Sequence, residues 1–217
     1  GAGTTIEVTN IKIEEVVEAV KITTNEELNT LANWRSLTSG TKDPADTTTA
    51  WHNPTAGTES KGGTTVDTMQ LSGATSVTYA TKLSVEKNKT YKLSFDYYYS
   101  GTLYDWGGKK IAFNTVGVSP LSDGKFQYRT YGTATPVGLS TVFVNGLFKG
   151  GYTSGMPLDD TTISTAVTQS ADNWYSLAFE FDSAENTELQ FYMTTQYLGA
   201  GTTIEVANIK IEESKIN

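Results

Sequence analysis

The two ends of this 217-residue chain carry almost the same sequence. Residues 1–15 are GAGTTIEVTNIKIEE and residues 199–213 are GAGTTIEVANIKIEE, so 14 of 15 positions agree and only Thr9 and Ala207 differ. Self-similarity at a fixed spacing, here 198 residues, is the signature of a repeat architecture. We therefore predict a tandem array, in which residues 1–21 are the final strand of a preceding unit plus a linker and residues 22–217 form one domain. The alternative is a duplicated edge strand within one larger sheet.

Three segments predict β-strands. Residues 91–97, 175–181 and 188–193 carry large apolar side chains at every second position, which is typical of a strand with one face on a core and one in water. Turn-forming residues lie at 86–89, 122–124 and 182–186. With 12 Tyr, 8 Phe and many Thr, the chain is predicted to be all-β, a two-sheet antiparallel β-sandwich of the jelly-roll type. One helical turn is expected at residues 24–28, with Thr24 or Asn25 as its N-cap.

The repeated segment changes phase in its middle. Ile204 and Val206 share one face of a strand, whereas Ile209 and Ile211 have the opposite parity, which indicates a bulge at Ala207-Asn208. Residues 1–15 carry the same pattern, so two copies of one strand compete for one place in a sheet. We expect residues 4–13 to add to a sheet edge, within this chain or on a neighbouring one.

Composition excludes several function classes. A net charge of −8 argues against a nucleic-acid partner, because phosphate neutralisation needs clustered Lys and Arg. The lack of cysteine excludes thiolate zinc sites and disulfides, and the single histidine, His52, leaves little for a catalytic triad. No apolar run approaches the length of a membrane span, so no membrane partner is expected. The carboxylate pairs Asp96/Asp105 and Asp159/Asp160 fit a polar rim and a turn, so the chain is predicted not to be an enzyme.

An ordered set of short motifs runs through residues 22–213. Residues 24–28 (TNEEL) and Asn33-Trp34 are followed by residues 89–95 (KTYKLSF), 172–179 (DNWYSLAF) and 203–211 (TIEVANIKI). In this order the motifs resemble the CenC-like carbohydrate-binding modules, the family 4/9/16/22 jelly rolls. The segment from residue 100 to residue 170 has no matching motif. The resemblance implies two antiparallel sheets, with Trp34 and Trp174 as framework residues of the core.

The same resemblance implies a structural calcium ion near the first and last strands. The family's terminal Asp pair is replaced here by Ala207-Asn208, and calcium prefers several oxygen ligands. The nearest ligand candidates are Glu26, Glu27, Asp67 and Asn208, but these residues fit solvated surface acids and a turn Asn better than calcium ligands.

Exposed aromatic residues point to sugar binding, which needs flat rings for stacking and polar side chains for hydroxyl groups. If the odd residues of 91–99 face the core, Asp96 and Tyr98 face outward. We expect non-catalytic binding of a polysaccharide or oligosaccharide by a module of a secreted or cell-surface bacterial protein. The predicted stacking residues are Trp51, Tyr98, Tyr104 and Trp106, and the predicted hydrogen-bonding residues are Asp96, Asp105, Asn53 and Arg129.

Each of these aromatic residues also fits a purely structural role. Trp51 and Trp106 equally suit residues that anchor a loop, and Tyr98 equally suits packing on a neighbouring strand. The alternative function is a structural repeat of a surface stalk, adhesin or self-assembling fibre, joined to neighbouring units or chains by strand addition from residues 1–15. The two functions are compatible, because tandem modules raise avidity.

Overall fold

The computed structural model describes residues 22–48, 53–72, 75–106, 109–129, 167–169, 174–195 and 198–214, and every structural statement below concerns these residues. Residues 1–21 and Trp51 lie outside them. The predicted domain division, with its preceding strand and linker, therefore stays a prediction.

The larger of the two main sheets has six antiparallel strands. Neighbouring strands pair antiparallel throughout, and strand β14 lies inside the sheet. Across the sheet the strands are β11 (Val167–Gln169), β12 (Tyr175–Asp182), β6 (Thr90–Ser100), β14 (Thr203–Glu213), β4 (Thr64–Leu71) and β3 (Thr55–Lys61).

A four-stranded antiparallel sheet packs against the larger one. Across it the strands are β1 (Arg35–Leu37), β5 (Val77–Ser84), β13 (Glu188–Thr195) and β9 (Phe113–Pro120). Two short pairs complete the described strands: β2 (Thr41–Lys42) with β10 (Phe126–Gln127), and β7 (Tyr104–Trp106) with β8 (Lys109–Ile111). The protein is therefore all-β, an antiparallel β-sandwich, as predicted.

The core lies between the two main sheets and is rich in aromatic rings. Phe95 of β6 contacts two rings of the opposite sheet, with centroids 5.7 Å from Phe113 and 6.1 Å from Phe191. In β6 the odd residues from Tyr91 to Tyr97 are buried and the residues between them are not. Strand β12 alternates in the same way. The alternation predicted for both strands is confirmed.

The third predicted alternation is wrong. Every residue of β13 except Glu188 is buried, so neither face of this strand meets water. The segment around β10 covers the outer side of the strand: Phe126 and Tyr192 belong to one apolar cluster, and Gln127 N donates a hydrogen bond of 2.7 Å to Gln190 Oε1. Gln190, which the alternating pattern places on a face in water, is therefore buried, and its side chain is hydrogen-bonded.

The expected helical turn is α1 (Asn25–Leu28), followed by a 3-10 turn at Leu31–Asn33. Thr24 is its N-cap and forms a capping box with Glu27. Nearby, Trp34 is buried as predicted, and its Nε1 donates a hydrogen bond of 2.8 Å to the Leu28 carbonyl. No helix among the described residues is long and apolar enough to cross a membrane.

The predicted bulge in β14 is confirmed. Pairing with β6 shifts register between Ala207 and Lys210, and Asn208 has a positive φ of 54°. Because of this extra residue, the side chains on both sides of the bulge reach the same core. The residues concerned are Ile204, Val206, Ile209 and Ile211.

Candidate functional site

The outer face of the six-stranded sheet, on the side away from the core, carries a mixed polar and aromatic surface. Alternate residues of five neighbouring strands meet there, because each strand turns every second side chain away from the core. They form three groups: an Asp96 cluster (Lys61, Asp96, Ser176 and Asn208), an aromatic pair (Tyr98 and Trp174) and a Glu205 cluster (Thr68, Gln70 and Glu205).

In the Asp96 cluster, three donors from three different strands hold one carboxylate. Lys61 Nζ lies 2.5 Å from Oδ2, Asn208 Nδ2 donates to Oδ2 at 2.8 Å, and Ser176 Oγ donates to Oδ1. Burial by itself would raise the pKa of Asp96, but the hydrogen bonds from Lys61, Ser176 and Asn208 outweigh it, so the pKa lies below its usual value. Asp96 is therefore ionised and fixed in orientation at neutral pH.

The aromatic pair lies next to this carboxylate. The rings of Tyr98 and Trp174 are 5.8 Å apart at an interplanar angle of 39°. Trp174 is fully buried, its Nε1 donates a hydrogen bond of 2.8 Å to the Ser60 carbonyl, and Lys61 Nζ lies 5.3 Å from its ring centroid. Tyr98 is only partly buried. The buried indole thus supports a more exposed phenol ring.

Trp174 is fully buried, as the family resemblance implied for a framework tryptophan. Its described contacts, however, are with Tyr98, Lys61 and Ser60 on the outer face rather than with the rings between the sheets.

The Glu205 cluster is internally satisfied. Glu205 is 3% exposed, and its two oxygens accept hydrogen bonds from Thr68 Oγ1 and, at 2.6 Å, from Gln70 Nε2. Gly57 on β3 leaves room for this carboxylate, since a Cβ at that position would lie 2.5 Å from Glu205 Oε2. This cluster ties β4 and β14 together beside the Asp96 cluster, and β3 packs closely against it at Gly57.

Two of the predicted sugar-binding residues, Asp96 and Tyr98, share the outer face as expected. Asn53 and Arg129 contact the opposite sheet instead, and Trp51 lies outside the described residues. Asn53 Oδ1 accepts a hydrogen bond of 2.8 Å from Ser36 in β1, in the opposite sheet. The carbonyl of Arg129 accepts a hydrogen bond of 2.7 Å from Thr78 of β5, and burial lowers the pKa of the Arg129 guanidinium. Tyr104, Asp105 and Trp106 form β7, of which only the backbone is described.

Sequence reasoning did not identify Lys61, Ser176 or Trp174 as members of a site, and it assigned Asn208 to a metal. Lys61 lies on β3, three strands away from β6 in the sheet order. Ser176 is the direct cross-strand partner of Asp96, and the alternation of β12 places it opposite the buried face. The parity of β12 was the available signal for Ser176, whereas no local pattern indicated Lys61.

The predicted calcium ligands are separate. Glu27 Oε2 accepts a hydrogen bond of 2.9 Å from the Thr24 backbone within the capping box, and Asn208 donates to Asp96. Glu26 and Asp67 are exposed. In the described ranges, no group of three or more His, Cys, Asp or Glu residues is arranged to hold a metal ion. Calcium stays a prediction without a site among these residues.

No family model matches the chain, and no curated protein matches it. Two solved structures are similar to it. The first, described as "CBM4 structure and function", is 12% identical with a TM-score of 0.41, and the match covers 87% of this chain and 91% of that one. The second is a Stig cyclase, Fisc, from Fischerella sp. TAU, solved in complex with a pyrrolidinylidene-indole; it is 10% identical with a TM-score of 0.42, and the match covers 93% of this chain and 92% of that one. At these identities the likeness concerns the fold alone.

Proposed function

We propose that this protein binds a polysaccharide or oligosaccharide, without transforming it, on the outer face of its six-stranded sheet. The observation that carries the proposal is the contact of Tyr98 with Trp174 directly beside the Asp96 cluster. This arrangement places an aromatic ring and several hydrogen-bonding groups side by side on one surface.

The chemistry of the surface suits a sugar ring. The apolar C–H face of a pyranose stacks on an aromatic ring, and Tyr98 is the partly exposed member of the aromatic pair. The ionised Asp96 accepts hydrogen bonds from hydroxyl groups, and the Lys61 ammonium and Asn208 amide donate them. Lys61, Ser176 and Asn208 are already fixed by their contacts with Asp96, so these side chains lose little conformational entropy when a sugar binds.

The same geometry argues against glycoside hydrolysis at this place. A general acid needs a carboxyl group with a raised pKa, and hydrolysis needs a second carboxylate opposite it. The pKa of Asp96 is shifted the other way, because Lys61, Ser176 and Asn208 all stabilise the charged form against the effect of burial. Asp96 therefore suits a hydrogen-bond acceptor better than a proton donor.

We extend the proposal to a secreted or cell-surface module of a bacterial protein, because that is where a protein meets polysaccharide. The alternative function is a structural repeat of a stalk, adhesin or fibre. It requires residues 1–15 to pair with a sheet of the same or a neighbouring chain, and the contacts of β14 define what such a strand must match.

Affinity gel electrophoresis tests the proposal with soluble glucans, xylans and mannans in the gel. We expect at least one polysaccharide to retard the protein, and Tyr98→Ala to abolish the retardation. The matched control is Lys92→Ala, on the same strand and face but six residues away, which is about 20 Å. The proposal is wrong if no polysaccharide retards the protein, or if Tyr98→Ala is retarded as strongly as Lys92→Ala.

A further inference from the structure

Strand β14 occupies an interior position with specific surroundings. It pairs with β6 on one side and β4 on the other, and it buries four branched aliphatic side chains in the core. A strand can take this position only if its apolar residues alternate on one parity before a bulge and on the other parity after it, as Ile204 and Val206 do before the bulge and Ile209 and Ile211 after it. Few sequences meet that condition by chance.

The polar contacts of β14 add further requirements. Glu205 is held by Thr68 and Gln70, Asn208 bonds to Asp96, and Thr203 Oγ1 lies 2.9 Å from Ser100 Oγ. Along the backbone, Ile209 N donates to Asn29 Oδ1 at 3.0 Å and Ile211 N donates to Asn25 Oδ1 at 2.8 Å. These contacts fix both the register and the position of the bulge.

The N-terminal copy meets every one of these side-chain requirements. Its residues lie outside the described structure, and the match is one of sequence. The counterparts of the four buried aliphatic residues are Ile6, Val8, Ile11 and Ile13, and those of Thr203, Glu205 and Asn208 are Thr5, Glu7 and Asn10. The one difference, Thr9 in place of Ala207, falls opposite Asp96, where Ala207 is 3% exposed, so the larger Thr side chain would have to be accommodated there.

We propose that the place of β14 between β6 and β4 is a binding site for the N-terminal copy of the same chain, so that residues 4–13 replace residues 202–211 as its occupant. The two occupants differ by one side chain, so both offer the sheet nearly the same contacts. Such a replacement frees one β14-type strand per molecule, which is what joining of units by strand exchange requires.

The tether favours replacement within one molecule. The Ile211 N atom bonds to Asn25, and residue 13 would take the place of Ile211. The 11 residues between Ile13 and Asn25 span up to about 36 Å when extended. That is far more than needed, because a residue in the place of Ile211 would be in hydrogen-bonding contact with Asn25. A short tether supplies a local concentration on the order of millimolar, which exceeds that of a second molecule in dilute solution.

Three variants of the 217-residue chain test the replacement through stability. Val206 is 1% exposed, so an Asp there should unfold the domain unless another strand takes over. We expect Val206→Asp and Val8→Asp each to keep a cooperative thermal transition, and the double variant to lose it. If Val206→Asp alone loses the transition, or if the double variant is no less stable than Val206→Asp, the proposal is wrong.

Disulfide trapping identifies the occupant directly, because the chain has no cysteine of its own. Ser100 is the cross-strand partner of Thr203, so Ser100→Cys with Thr203→Cys is the positive control. In the Val206→Asp background, we expect Ser100→Cys with Thr5→Cys to give a cross-linked product of monomer size on a non-reducing gel. No cross-link, or a dimer alone, would contradict replacement within one molecule. Neither test involves a glycan, so its failure leaves the proposed binding function untouched.

Discussion

Asn208 Nδ2 donates a hydrogen bond of 2.8 Å to Asp96 Oδ2, and this contact joins the bulge of β14 to the middle of β6. Asn208 adopts a left-handed backbone conformation with a φ of 54°, which Asn tolerates better than most residues. The extra residue returns Ile209 to the core while Asn208 reaches the outer face. The bulge is thus a part of the candidate site as well as of the fold.

Two substitutions at Asn208 should separate its backbone and side-chain roles. Asn208→Gly removes the hydrogen bond to Asp96, while Gly accepts the left-handed backbone, and it should cost about 1 kcal/mol of unfolding free energy. Asn208→Ala removes the same hydrogen bond but keeps a Cβ in the left-handed region, which Ala tolerates less well than Asn or Gly, so it should cost about 1–2 kcal/mol more than Asn208→Gly. Urea denaturation gives both values. Equal stability of the two variants would show that the backbone of the bulge is not strained.

Asp96 should make stability depend on acidic pH. Burial alone would raise the pKa of Asp96, but the hydrogen bonds from Lys61, Ser176 and Asn208 lower it by more than burial raises it. The pKa in the folded protein therefore lies below the unfolded value of about 4. A group with a depressed pKa stabilises the fold above the unfolded pKa, and the contribution disappears as the pH falls through the folded pKa. We expect Asp96→Asn to lower the unfolding free energy by about 1 kcal/mol at pH 7.

The pH dependence of that difference is the diagnostic measurement. Between pH 7 and pH 2, the stability gap between the original protein and Asp96→Asn should close, as followed by denaturant titration at each pH. Asp67→Asn, which changes an exposed carboxylate on β4, is the control. A gap of constant size over this range would mean that the ionised form of Asp96 is not what the three donors stabilise.

Gly57 should tolerate no side chain. A Cβ there would lie 2.5 Å from Glu205 Oε2 and 2.7 Å from Thr68 Oγ1, and both atoms are buried partners of one hydrogen bond that cannot move without breaking it. We expect Gly57→Ala to cost about 1–3 kcal/mol of unfolding free energy. Gly199→Ala is the control, because its nearest contact would be an ordinary 3.7 Å. Similar melting temperatures for the two variants would show that Glu205 can rearrange freely.

Much of the fold was predictable because strand parity is a local property. The odd residues of β6 and β12 face the core as their patterns indicated, and the phase change at Ala207-Asn208 correctly located the bulge. The same reasoning failed for β13, because the covering segment around Phe126 lies more than 60 residues away and leaves no mark on the pattern of β13 itself.

The candidate site was predictable only in part for a related reason. Parity placed Asp96 and Tyr98 outward, but the partner of Asp96 on β3, Lys61, is 35 residues away in sequence and reaches it across two intervening strands. Which strands become neighbours depends on the sheet order, which no single segment encodes. Arg129 was predicted to bind sugar together with these residues, yet its backbone bonds to Thr78 of the other sheet.

Calorimetric titration of the polysaccharide that retards the protein most strongly tests the binding account most directly. The variants to compare are Tyr98→Phe, which keeps the ring, and Tyr98→Ala, which removes it. Loss of a stacking ring costs about 1.4 kcal/mol or more, so we expect Tyr98→Ala to weaken binding at least about tenfold and Tyr98→Phe to change it less than about threefold. Unchanged affinity in Tyr98→Ala would contradict binding at the outer face of the six-stranded sheet.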